Sequence, residues 1–178
     1  MRTLAQLTAD LSHHGRVCEI ALRLTAVERA ALRLSRGRWS VSGVLGVPLC
    51  LLRTRGARSG RARAVPVVCT RVAGGLLVLG SNGGRPEHPQ WTHNLRCDPR
   101  AEVTFGGATT PVRAELLTGA ERAALWPLAC AAWPPYETYQ RRSGRTLRMF
   151  RLRPAEPGAQ PGLLQAWRPG RAGERGSP

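Results

Sequence analysis

From Val47 onward the chain is a series of short apolar runs punctuated by glycine, and this punctuation constrains the fold more than any other feature. The runs are Val47–Thr54, Ala64–Arg71, Gly75–Gly80, Ala101–Phe105, Thr110–Leu117 and Leu147–Leu152, each with the length and composition of a strand. Gly56 to Gly60, Gly74-Gly75 and Gly106-Gly107 separate successive runs. Connections this short join antiparallel neighbours, because a parallel crossover needs roughly a dozen residues or more. Six antiparallel strands are predicted, and a closed or split barrel is the arrangement that pairs their edges.

Helices flank this core. Thr25-Ala-Val-Glu28 has the spacing of a capping box and predicts a helix over Ala26 to Leu34, with apolar residues recurring at three and four. Thr118-Gly-Ala-Glu121 repeats that spacing and predicts a second helix through Trp126 to about Ala132, bent by Pro127 and stopped by Trp133-Pro-Pro135. The expected organisation is an N-terminal amphipathic helical segment over 1–40, a barrel domain over 41–154, and a Pro-, Gly- and Arg-rich disordered tail over 155–178. The arginines of the first helix make it a candidate for peripheral membrane contact, although a solvated face above the core is the simpler reading. The longest nearly uncharged stretch, Trp39 to Leu52, contains two glycines and a proline and falls short of the ~20 apolar residues of a spanning helix. The start of the chain lacks the apolar core of a signal peptide, which points to the cytoplasm. Cys18, Cys50, Cys69, Cys97 and Cys130 are odd in number and widely spaced, so most of them are predicted to be buried thiols, with neither a disulfide frame nor a zinc knuckle.

Composition matters because it makes certain residues informative. All 27 basic residues are arginine, and the chain holds two asparagines and two tyrosines, the drift expected of GC-rich codons. Both asparagines, Asn82 and Asn94, lie in the loop Ser81 to Leu95, together with His88, Trp91 and His93. Planar amides kept there suggest a polar wall around a ligand. A turn capped by its own Asn and Ser side chains is the plainer reading. Arg53, Arg55, Arg58, Arg61 and Arg63 surround Ser59 and a glycine-punctuated hairpin, forming an anion clamp in which backbone N–H groups and guanidinium forks meet phosphate or carboxylate. A solvated arginine-rich hairpin is the alternative. Tyr136 and Tyr139, three apart beside Trp133, share one face of a helical turn and form either a pocket wall with hydrogen-bond donors or core packing.

Composition and motifs weigh against several chemistries. The net charge of +16 raises nucleic acid, but nine aromatics, none interleaved with the basic runs, give no base-stacking platform. His88 and His93 have no acidic cluster beside them, so no metal is expected. No Gly-x-Ser-x-Gly elbow occurs, the aspartates stand alone at Asp10 and Asp98, and without lysine neither a Walker loop nor a Schiff base can form. An enzyme built this way borrows its reactivity from a cofactor.

Taken in order, three segments resemble the deazaflavin-dependent nitroreductase/quinone reductase family over about Leu45 to Pro154. They are Thr54 to Pro66, then Ser81-Asn-Gly-Gly with His88-Pro-Gln-Trp91-Thr-His-Asn94-Leu95, then Pro134-Pro-Tyr136-Glu-Thr-Tyr139-Gln140. Leu116 to Arg122 with Trp126-Pro127 is similar to the family's third helix. The resemblance implies an α+β fold, a six-stranded antiparallel split β-barrel with flanking helices. It also implies coenzyme F-420, an 8-hydroxy-5-deazaflavin with a phosphate and an oligoglutamate tail. By the same resemblance Arg58, Ser59, Arg61, Arg63 and Pro66 belong to the cofactor site, the arginines holding the phosphate and tail. Ser81, Asn82, Gly83 and Gly84 lie along the ring, and Trp91 and Asn94 buttress that wall. Val68, Trp133, Tyr136 and Tyr139 line the acceptor side. Tyr136, Tyr139 and Ser81 are the implied proton donors when hydride passes to a quinone, enone or nitroaromatic, the small-molecule partner.

Ala57 stands where the family has a second consecutive basic residue, with Arg61 as its replacement, and Val68 and Trp133 stand where tyrosines are common. Two other readings remain at this point: a barrel that binds flavin mononucleotide or haem without turnover, and a basic nucleic-acid-binding module. A monomer and a homodimer are equally compatible with the sequence.

Overall fold

The structure is a computed structural model that describes residues 27–38 and 47–155. Its centre is a closed antiparallel barrel in the order β1-β2-β3-β6-β5-β4. The strands are β1 (Leu49–Arg55), β2 (Ala62–Val72), β3 (Gly75–Leu79), β4 (Arg100–Phe105), β5 (Ala108–Leu117) and β6 (Met149–Pro154). Pairing of β1 with β4, Leu52 opposite Val103, closes the ring. All six predicted strands are present, with ends displaced by up to two residues. At Gly75 the turn lets two backbones touch, since a Cβ there would lie 2.1 Å from the Leu152 carbonyl oxygen.

Side-chain alternation divides the apolar residues between two cores. Cys50, Leu52, Val67, Cys69, Leu76, Val78, Val103, Phe150 and Leu152 fill the barrel. Leu77, Leu79, Leu117 and Met149 face outward from neighbouring strands and need a cover. Helices α3 (Gly119–Ala132) and α4 (Pro135–Ser143) provide it through Ala129 and Tyr136. Helix α1, residues 27–34, seats Leu32 at 1% exposure. After it, Gly106 N–H donates to the Gly37 carbonyl at 3.0 Å, which ties this segment to the β4–β5 turn.

Two sequence expectations change. In place of one continuous loop over residues 81–95, the chain makes a single 3-10 turn at Asn82–Gly84 and then helix α2 (Gln90–Cys97). Trp91 and Leu95, four apart, supply the buried stripe that stabilises α2. The capping box at Thr118 does not form: its side chain makes no cap bond, Gly119 follows at φ 55°, and Glu121 pairs with Arg151 instead. Pro127 is accommodated inside α3. Thr25, and with it the first capping box, lies outside the described residues, as do Cys18 and the tail from residue 156. Among the described residues no helix is long and apolar enough to cross a membrane.

The topology places the site. β1 and β3 leave the barrel at the end where β2 and β6 enter it. The β1–β2 hairpin, the chain after Leu79 and the chain approaching Met149 therefore gather at one rim.

Candidate active site

The hairpin closes on itself through Gly56 N–H to the Arg61 carbonyl at 2.9 Å and Gly60 N–H to the Gly56 carbonyl at 2.8 Å. Arg58, Ser59, Arg61 and Arg63 are exposed around it, and Pro66 is half-buried further along β2. Beyond the hairpin's other flank, a cleft of about 430 Å³ is lined by Arg53, Arg55, Asp98, Arg100 and Glu102. There Arg53 pairs with Glu102 at 3.4 Å and Arg100 with Asp98 at 2.9 Å. Arg58, Arg61 and Arg63 have no such acid partner among the described residues, so their charge faces solvent.

Asn94, at 6% exposure, serves this hairpin. Its carbonyl oxygen accepts from Ala57 N–H at 3.0 Å, and its amide donates to the Thr54 hydroxyl at 3.0 Å. The turn of α2 aims Asn94 at the hairpin and makes it a clip between the two. Trp91 points into the barrel core and tilts against Phe150, with ring centroids 5.8 Å apart.

The loop after β3 has an unusual backbone. Asn82, Gly83 and Gly84 adopt φ values of 50°, 61° and 77°. Asn82 donates its amide to the Glu87 carbonyl at 3.0 Å, and Gly84 N–H bonds to the Ser81 carbonyl at 2.9 Å. Two arginines from the far side of the rim hold the remaining carbonyls. Arg142 of α4 donates to those of Gly83 and Gly84. Arg145 donates to those of Gly80, Ser81, Arg85 and Glu87, and to His88. Sequence reasoning missed Arg145, because in a chain whose default polar residue is arginine nothing marks one out.

His88 lies 6.1 Å from His93 between ring centroids. Burial, then the charges of Arg145 and Arg148, lower its pKa from 6.5 to about 4. His93 is also lowered, by burial first and then by Arg148, Arg96 and Arg58. Neutral His88 accepts from Arg145 through Nδ1 at 2.9 Å. The unfolded chain then binds a proton that the folded one refuses, so this stability is complete above the ordinary value and declines as pH falls from 6.5 toward about 4. His88→Asn keeps an acceptor without titrating, and should lower the slope of melting temperature against pH across that window. Parallel slopes in thermal melts of the two proteins would refute this assignment.

On the helical side of the rim, Val68, Trp133 and Tyr139 are half-buried against the outer apolar cluster. Tyr136 is 2% exposed within it, and burial pushes its phenol far above the ordinary range. Tyr139 sits beside the loop: a Cβ on Gly84 would lie 3.1 Å from the Tyr139 Cα, and the Arg142 guanidinium is 5.8 Å from the tyrosine ring. The clamp, the glycine loop and the tyrosine helix thus meet at one end of the barrel, joined by Asn94, Arg142 and Arg145.

The chain belongs to the F420H(2)-dependent quinone reductase family, whose sequence profile matches residues 27–154. A Mycobacterium tuberculosis protein named provisionally as an F420H(2)-dependent quinone reductase is 32% identical over 108 residues, 61% of this chain and 91% of its own length. A second reductase of that name and organism is 30% identical over 87 residues, 49% of this chain and 58% of its own. Among solved structures, an F420-H2 dependent reductase superposes with a TM-score of 0.55 at 37% identity, covering 59% of this chain and 93% of that one.

Proposed function

We propose that this chain passes a hydride from reduced coenzyme F-420 to a small electron-poor acceptor of the quinone, enone or nitroaromatic class. The observation that carries the reading is the cross-linking of clamp, loop and tyrosine helix at one rim, in a chain of the F420H(2)-dependent quinone reductase family. The donor set suits the coenzyme's chemistry: exposed guanidiniums without acid partners match a phosphate and carboxylate tail, and a backbone rich in glycine accepts a flat ring. Flavin mononucleotide, the alternative ligand, shares the phosphate and the ring but lacks the acidic tail.

When bound, the reduced coenzyme supplies the hydride. The chain's own residues do the rest. Arg58, Arg61 and Arg63, with Ser59, hold the anionic part, while Pro66 and Trp91 stiffen the strand and helix beside it. Ser81, Asn82, Gly83 and Gly84 define the ring side of the slot. Val68, Trp133 and Tyr139 shelter the acceptor from water, and a hydroxyl of Tyr139, Tyr136 or Ser81 donates the proton that accompanies the hydride. Hydride plus proton reduces a quinone to its hydroquinone, with no other reactant.

Anaerobic mixing of the protein with reduced F-420 and a panel of quinones, enones and nitroaromatics tests the reading. Failure to oxidise the coenzyme with any acceptor, at saturating protein, would overturn it. A solved relative, 37% identical with a TM-score of 0.55, is described as a domain-swapped dimer, so light scattering on the free and loaded protein should look for a homodimer here.

A charge-assisted hydrogen bond contributes about 1.5–3 kcal/mol. Arg58 is exposed, so the lower end applies, and Arg58→Ala should weaken coenzyme binding roughly tenfold. Raising salt should weaken the wild type in the same direction. Wild-type affinity in both Arg58→Ala and Arg63→Ala at low salt would move the phosphate site elsewhere.

A further inference from the structure

We propose that Arg145 is the positioning residue that sets the shape of the cofactor-facing loop and locks that loop to the helix carrying the tyrosines. Its consequence for the coenzyme rests on the functional reading above, whereas its consequence for the loop does not.

A loop holding consecutive residues in the left-handed region has little regular hydrogen bonding of its own. Here the carbonyls of Gly80, Ser81, Arg85 and Glu87 turn toward one point, and the Arg145 guanidinium occupies it. NH1 donates to the Gly80 carbonyl at 3.1 Å and to His88 Nδ1 at 2.9 Å. NH2 donates to the carbonyls of Ser81 at 3.0 Å and Glu87 at 3.1 Å. Nε donates to the Arg85 carbonyl at 3.2 Å. All three nitrogens are engaged, and the planar fork spreads its donors over acceptors that no single ammonium could reach together. Lysine is therefore not a conservative replacement at this position.

The backbone carrying Arg145 is itself fixed to α4. Gly144 ends that helix in a left-handed conformation at φ 65°. The Ser143 hydroxyl donates to the Gln140 carbonyl at 3.0 Å and accepts from Arg145 N–H at 3.4 Å. Leu147 N–H bonds to the Gln140 side-chain oxygen at 3.3 Å. A displacement of the end of α4 must therefore move the hub, and with it the carbonyls around Ser81. Arg142 grips Gly83 and Gly84 from an exposed position, whereas Arg145 is half-buried inside the loop. The ring wall and the acceptor-side helix are thus one mechanical unit, and Arg145 is its joint.

The test compares wild type with Arg145→Ala, Arg145→Lys and the control Arg141→Ala, which removes an exposed arginine bonded to Thr138 within the same helix. Hydrogen exchange in the free protein should accelerate at least about tenfold over 81–88 in both Arg145 variants and in neither wild type nor control, with the β5 segment unchanged. Unchanged exchange over 81–88, or equal acceleration in β5, overturns the proposal. Coenzyme affinity should fall at least about tenfold in both Arg145 variants. Added methylguanidinium, at concentrations that leave the melting temperature of wild type unmoved, should restore affinity in Arg145→Ala but not in Arg145→Lys, where the ammonium blocks the cavity. A loosened loop with wild-type coenzyme affinity would overturn the functional half. If wild type binds no coenzyme, the reductase reading fails instead, and exchange alone decides the role of Arg145.

Discussion

Replacing Gly84 with valine is expected to remove detectable coenzyme binding, a loss of at least about a hundredfold, while leaving the barrel folded. Gly84 is buried with φ at 77°. A side chain in that region costs roughly 1–2 kcal/mol before any contact is counted, and branching at Cβ stiffens it further. Space is the larger obstacle. The new Cβ would lie 2.9 Å from Arg142 Nε and 3.1 Å from the Tyr139 Cα. Arg142 can swing away, but the α4 backbone cannot, so the loop must lift from the helix and lose the bonds that Arg142 makes to Gly83 and Gly84. None of the barrel's strand pairings involves this loop. Circular dichroism should therefore keep the signature of the folded barrel, with the melting temperature lowered by only several degrees, while binding disappears. Gly84→Ala carries the strain without the branch and should fall between the two. A folded valine variant with wild-type affinity would reduce the loop to an ordinary turn.

The barrel was legible because its signals are local. Gly74-Gly75 and Gly106-Gly107 break the chain between short apolar runs, and the strand ends then follow within two residues. Helix α2 was hidden by Pro86, Pro89 and the glycines before it, which look like loop, although Trp91 and Leu95 already carried helical spacing. At Thr118 the spacing of a cap was present and its backbone was not, because Gly119 turns left-handed where a cap needs the helix to begin. The site divides in the same way. Asn82 and Asn94 stood out by their rarity, yet the partners of Asn94, Thr54 and Ala57, are 40 and 37 residues away, so its task as a clip could only appear in three dimensions. Arg145 had neither a rare identity nor a motif. Its role comes from four carbonyls and the His88 ring nitrogen that the fold turns toward it.

Tyr139→Phe is expected to cut turnover by about a hundredfold, within the 10²–10⁴-fold range of a positioned proton donor. Hydride addition to a quinone or enone leaves negative charge on oxygen, and a phenol within reach can donate to it. The resemblance implies both Tyr136 and Tyr139 as proton donors, and burial favours Tyr139. Tyr136 is 2% exposed among Leu77, Leu117 and Met149, where its raised pKa keeps it protonated but sheltered. Tyr139 is half-buried and backs directly onto the Gly84 loop. Phenylalanine there keeps both the packing and the Arg142 guanidinium 5.8 Å from the ring, and deletes the hydroxyl alone. Coenzyme affinity should accordingly stay within a factor of about three while kcat falls. Tyr136→Phe should leave kcat within a similar factor of about three and show itself in the melting temperature, as a buried packing residue does. A large kcat loss in Tyr136→Phe with none in Tyr139→Phe would reverse the assignment and require α4 to open during turnover. Wild-type rates in both would leave the Ser81 hydroxyl or solvent as the proton source, and Ser81→Ala separates those two.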